Sequence, residues 1–138
     1  MKATVDTNIL LRAILDDHPT QSPAAQEMLD RAELVSVTLP TLCEFAWVLR
    51  KGYKRSRQEI SAALETIARI PTISLDRPAV EAGLALANAG GDFADGVIAF
   101  EGQRLGGDIF FTFDRGAAEL LAKAGIATSL LSPAPTGH

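Results

Sequence analysis

The sequence holds a single cysteine, only two histidines, and no apolar run approaching the roughly 20 residues that a bilayer-spanning helix requires. Cys43 has no second cysteine to bridge and no suitably spaced histidine with which to bind zinc, so it supports neither a disulfide scaffold nor a zinc site. A reducing compartment, the cytoplasm, is its expected setting, without membrane association. The opening MKATVDTN turns polar after five residues, which argues against a secretory signal. Positive charge is also short. Lys and Arg number 13 against 17 Asp and Glu, for a net charge of −4 and a sequence pI near 5.1. That balance disfavours a module gripping polyanions through a broadly basic surface. A protein of this charge acting on a polyanion needs a divalent metal, a local basic patch, or both.

What is present is an apolar share of 47% over 138 residues, enough for one compact α/β domain and too little chain for two. Strand-like runs at 2–6, 34–38, 72–75, 108–112 and 127–131 alternate with helical stretches. Ser22-Pro23 reads as a helix start with proline in the first turn, and Pro40-Thr41 as another. Ser56 and Glu59, three apart before Ile60, Leu64 and Ile67, form a capping box followed by an apolar stripe. Alternation of this kind predicts a central, mainly parallel sheet of about five strands with helices on both faces. There is no internal repeat, linker or low-complexity segment. One domain over residues 1–131 is expected, with 132–138 as a loose tail.

Ligands in open α/β sheets bind beyond the carboxyl ends of the strands. Asp6 ends the first strand and Asp114 follows the fourth, so both are expected on one rim although about a hundred residues separate them. Glu44 is expected in the first turn of the helix after the second strand, and Asp92 and Asp95 bracket the start of the helix over 93–105. Each acid has an ordinary reading. Thr41 and Glu44 fit a capping box, while Asp6, Asp92 and Asp114 fit turn or N-cap positions, and Asp95 suits the positive end of a helix dipole. Their convergence is less ordinary, because like charges gathered on one rim raise one another's pKa values unless a cation is present. Oxygen ligands without His or Cys select Mg²⁺ or Mn²⁺ over zinc. Carboxylate-held metal suits phosphodiester hydrolysis.

Four motifs now carry a family resemblance. Val5-Asp6-Thr7-Asn8-Ile9-Leu10 resembles the opening motif of PIN-domain nucleases. Glu44 in TLCEFAWVLRK is similar to their second acid. Asp92-Phe93-Ala94-Asp95-Gly96-Val97-Ile98-Ala99 resembles the central motif, and Thr112-Phe113-Asp114 the last. The motifs occur in order from residue 2 to about 131, and the resemblance is nearest to the VapC-type toxins of bacterial toxin–antitoxin pairs. It implies a PIN fold, Mg²⁺- or Mn²⁺-dependent endoribonuclease activity by metal-activated water, a homodimer, and a small DNA-binding antitoxin of VapB type as partner. It also implies Asp6 and Asp95 as the principal metal ligands. Glu44 would complete the cluster directly or through water, and Asp114 would support a second ion or orient the ligands. Asn8 and Thr112 would hold those carboxylates by hydrogen bonding. Asp92 is either a member of the cluster or a helix cap.

Other features have two readings. Arg50, Lys51, Lys54, Arg55 and Arg57 put five cations into eight residues. They read as a landing site for RNA backbone, or as a solvated loop complementing the preceding helix C-terminus. Trp47 is expected in the core beside Val48 and Leu49, and Cys43 as a small buried side chain. His18, in a loop, and His138, in the tail, have no catalytic partner in sequence. Ile9, Leu10, Ile14, Met28 and Leu29 read as core or as a groove for an antitoxin helix. Three rival functions are a receiver-like signalling module, a catalytically silent PIN-like scaffold, and an RNA-processing PIN nuclease outside toxin–antitoxin systems. A receiver needs paired acids after the first strand, where Asp6 stands alone.

Overall fold

A computed structural model describes residues 1–136; Gly137 and His138, the end of the expected tail, lie outside the described residues. The order is β1 (Lys2–Thr4), α1 (Thr7–Leu15), α2 (Gln21–Arg31), β2 (Leu34–Ser36), α3 (Leu39–Lys51), α4 (Arg57–Arg69), β3 (Ile73–Ser74), α5 (Arg77–Asn88), α6 (Phe93–Arg104), β4 (Phe110–Thr112), α7 (Arg115–Lys123) and β5 (Thr128–Leu130). The chain is α/β, and every strand pairing is parallel. No helix among the described residues is long and apolar enough to cross a membrane.

The strands are shorter than their apolar runs for one recurring reason. β1, β2, β3 and β4 each end two residues before a helix N-cap, namely Asp6, Thr38, Asp76 and Asp114. The intervening residue closes the strand; Val5 and Val37, for example, donate one further hydrogen bond to the neighbouring strand, to Ser36 and Ser74. The cap side chain then accepts from the first helical turn. These four turns therefore set their cap residues at the carboxyl ends of strands, where the sequence pattern places a site.

The single five-stranded sheet is corrected to two, β1-β2-β3 and β4-β5. Strands of two or three residues form few ladder bonds, and packing of helix on helix joins the parts instead. The larger cluster is centred on the fully buried Leu10, Val35, Leu42, Phe45, Leu49, Leu64 and Ile67. A second, much smaller cluster of Leu86, Ala99 and Leu121 lies under β4 and α7.

Local chemistry explains the helix ends. Ser56 and Glu59 form the expected capping box on α4. α2 starts one residue earlier than Ser22, because His18 rather than a hydroxyl organises its entry. The ring Nδ1 of His18 accepts from the Gln21 N–H at 3.0 Å, and the Ser22 hydroxyl oxygen accepts from the His18 N–H at 3.1 Å. His18 thus has a structural role.

Candidate active site

Asp6 and Asp114 occupy equivalent strand-to-helix turns. Asp6 Oδ1 accepts from the Ile9 N–H at 2.9 Å, and Asp114 Oδ1 from the Ala117 N–H at 3.0 Å. Both are exposed, and each cap uses only one carboxylate oxygen. The expectation that Thr112 and Asn8 hold these carboxylates is corrected. Thr112 Oγ1 accepts from the backbone N–H of Asp114 at 3.0 Å, so the hydroxyl fixes the turn and leaves the carboxylate alone. Exposed Asn8 makes no hydrogen bond to Asp6 among the described residues, where Ile9 supplies the donor instead.

The start of α6 is the most constrained part of the site. Asp92 caps it, accepting from the Ala94 N–H at 3.1 Å. Asp95 follows in the first turn, half-buried. Gly96 then lets α6 touch α5. A Cβ there would lie 2.8 Å from both the Ala82 carbonyl oxygen and the Gly83 Cα, and a Cβ on Gly83 would run into the Phe93 ring. Only hydrogen side chains permit this approach, and it seats the turn that carries Asp95. Burial raises the Asp95 pKa above the usual carboxylate range, and the charges of Asp92 and Asp114 raise it further; Arg57 opposes them.

Asp92 and Asp114 therefore both act electrostatically on Asp95, and Asp92 does so while capping its helix. Glu44 is placed differently from expectation. Thr38 caps α3, receiving the Thr41 N–H, so Glu44 lies in the second helical turn, exposed, with no capping box. The helix begins earlier because Leu39-Pro40 already fits its first turn. Neither Glu44 nor Asp6 is among the charges that shift Asp95.

Among the described residues, no group of three or more His, Cys, Asp or Glu side chains converges closely enough to form a ready-made metal cage. The donor chemistry nevertheless fits a hard divalent cation. Mg²⁺ keeps several waters and is commonly held through one or two carboxylates plus substrate phosphate. A half-buried carboxylate raised by two neighbouring acids is a place where a cation relieves repulsion. Asp76, at the edge strand β3, does not join the group. It caps α5 and is ion-paired with Arg104, which holds its carboxyl below the usual range. A receiver-like module would need a phospho-accepting aspartate at the end of a central strand, whereas Asp76 follows an edge strand and is ion-paired.

Beside the α6 start lies a cavity of about 190 Å³ whose lining includes Trp47, Arg50, Lys51, Arg57, Asp92 and Phe93. Trp47 is corrected from a core residue to an exposed one, with 63% of its surface accessible. Helical phase explains the difference: Leu42, Phe45, Ala46 and Leu49 take the buried face of α3, which turns Cys43, Trp47, Arg50 and Lys51 outward along one stripe. That phase was the signal in the sequence that could have found Trp47. Cys43 is half-buried, and burial followed by the charge of Asp92 pushes its thiol up to about 11. Arg57 Nη1 donates to the Gly91 carbonyl oxygen at 2.6 Å, bringing one end of the cationic segment to the α6 entry. Arg55 is instead paired with Glu59, and Lys54, exposed in a left-handed turn (φ 55°), is outside the cavity lining. The five cations are thus divided between the cavity and solvent.

The family model for the PIN domain matches residues 3–123. No curated protein matches the chain.

Proposed function

The chain belongs to the PIN domain family, whose members are generally metal-dependent nucleases, and on that premise we propose that it is a Mg²⁺-dependent endoribonuclease serving as the toxin of a toxin–antitoxin pair. The observation that carries the nuclease reading is Asp95: a rigidly seated, half-buried carboxylate whose neighbours Asp92 and Asp114 oppose its ionisation. Asp6 and Asp95 are the proposed principal ligands, with Glu44 completing the site through water and Asp114 supporting or orienting. Mn²⁺ is a suitable substitute on the same oxygen donors. When bound, the cation supplies Lewis-acid polarisation of the phosphate and charge neutralisation of an in-line displacement by water.

The chain's own residues perform the positioning. The Gly83–Gly96 contact fixes the Asp95 turn, while Asp6 and Asp114 use Oδ1 for their helices and retain Oδ2 for the site. Arg57, tied to Gly91, tempers the negative field beside Asp95 and favours approach of a phosphodiester. No covalent protein nucleophile is required.

Two surfaces support the partner assignments. Ile109, Phe111 and Phe113 alternate along β4 and its flanks and are all more than half exposed, a face suited to a second copy in a homodimer. Around α1 and α2, Leu10 belongs wholly to the core, while Ile9 and Met28 line one surface cavity and Ile14 and Leu29 another. These half-buried apolar side chains suit docking of an amphipathic antitoxin helix.

Purified protein is expected to cleave single-stranded or structured RNA with Mg²⁺ or Mn²⁺, and to lose that activity with EDTA, Asp6→Asn or Asp95→Asn. Full activity in either variant would sink the proposed site. Growth arrest on expression, relieved by a small protein encoded immediately upstream, tests the toxin assignment; harmless expression of an active nuclease would favour an RNA-processing role.

A further inference from the structure

We propose that the cavity between α3 and the start of α6 is a nucleotide-recognition subsite, in which Trp47 stacks one unpaired RNA base and Arg50 and Lys51 hold the adjoining backbone phosphate. The proposal rests on the ribonuclease reading and deepens it, by assigning single-stranded RNA with a splayed base as the form recognised beside the acidic centre.

Three observations carry it. First, the chain's lone tryptophan lines the cavity yet remains 63% exposed, so its ring serves as a wall and is not consumed by the core. Second, in a chain of net charge −4, three cations reach the same cavity, and none of Arg50, Lys51 or Arg57 has a carboxylate in salt-bridge range among the described residues. Arg57 is held by a short bond to the Gly91 carbonyl, whereas Arg50 Nη1 makes only a long one, 3.4 Å, to the Arg55 carbonyl, which leaves Lys51 and the other guanidinium donors of Arg50 as the cations for a ligand. Third, the cavity adjoins the acidic centre through Asp92, a lining residue whose charge also acts on Asp95.

The chemistry selects the ligand. An aromatic face beside unpaired cations binds single-stranded nucleic acid by combining base stacking with phosphate contact. A volume of about 190 Å³ is below the roughly 300–1,000 Å³ of drug-sized pockets, which suits one base rather than a dinucleotide. Duplex RNA, with its bases stacked inside, presents no ring to Trp47.

Because Trp47 is the only tryptophan, its fluorescence reports this subsite directly. The full chain in EDTA is titrated with short single-stranded oligouridylate and oligoadenylate, and with inorganic polyphosphate as a base-free polyanion. Saturable quenching by the oligonucleotides and little by polyphosphate is expected. Trp47→Ala should weaken RNA binding about tenfold, measured by fluorescence anisotropy of labelled RNA, with Trp47→Phe retaining most of it. Arg50→Ala with Lys51→Ala should lower the salt dependence of log K by roughly one in slope while circular dichroism is unchanged. Equal quenching by polyphosphate would overturn base stacking. A flat RNA titration overturns the subsite, and a Trp47 emission that responds only to a protein partner reassigns this face to that partner. If RNA is still cleaved when quenching fails, the subsite alone is wrong. If RNA quenches Trp47 but no divalent cation supports cleavage, the nuclease reading fails and the subsite stands.

Discussion

The two parts of the molecule are built to different depths. Around β1-β2-β3, fully buried Leu10, Leu42, Phe45, Leu49, Leu64 and Ile67 interlock in one large cluster. Around β4-β5, the second cluster has only Leu86, Ala99 and Leu121 as buried members, and Phe111 and Phe113 are 57% and 68% exposed. The candidate site straddles both, with Asp6 and Glu44 on the thick part, Asp114 on the thin one, and Asp95 on the helix between. The contrast teaches that the acids are positioned by unequal supports, and that the α5–α6 contact is the mechanical link between them.

The largest test of that contrast is core truncation. Phe45→Ala should cost about 3–5 kcal/mol and Leu121→Ala less, near 2–3 kcal/mol, by urea denaturation. Phe111→Ala should be close to neutral in the monomer, and equal costs for all three would erase the distinction. Gly96→Ala strikes the link. It should cost about 1–3 kcal/mol by overpacking against α5, and it should lower kcat more than a surface substitution of equal instability.

Asp95→Asn sharpens the contrast from the other direction. A carboxyl whose folded pKa is raised contributes stability below its unfolded pKa, and that contribution is lost as pH rises through the folded value. At neutral pH without metal, Asn should therefore raise Tm slightly, by roughly 1–3 °C, while removing activity; a lower Tm contradicts the repulsion described here. The smallest effect concerns Cys43. With its thiol near 11, alkylation at pH 8 should be slow, and Asp92→Asn should speed it only modestly, because burial is the larger cause. A large acceleration would mean that charge outweighs burial.

Much of the fold was legible because its signals are local. Ser56-Glu59 read correctly as a capping box ahead of the apolar stripe of α4. Strand ends were read too long because an apolar residue such as Val5 or Leu75 continues the pattern after the backbone has begun to turn. Glu44 misled for a similar reason: Thr41-x-x-Glu44 fits a cap spacing, but Thr38 stands at the end of the preceding strand and captures the helix start first. The split sheet depends on which short strands pair, and no local pattern encodes that. Trp47 was misplaced by its apolar neighbours when its helical phase pointed outward.

The capping geometry of Asp6 and Asp114 has a genetic consequence. Asparagine caps helices about as well as aspartate, and a single transition in the codon converts one to the other. The hydrogen bonds to Ile9 and Ala117 can therefore survive a change that removes the negative charge. Under selection against a harmful activity, such alleles would accumulate as abundant, folded and silent protein, still able to occupy any partner that recognises the fold.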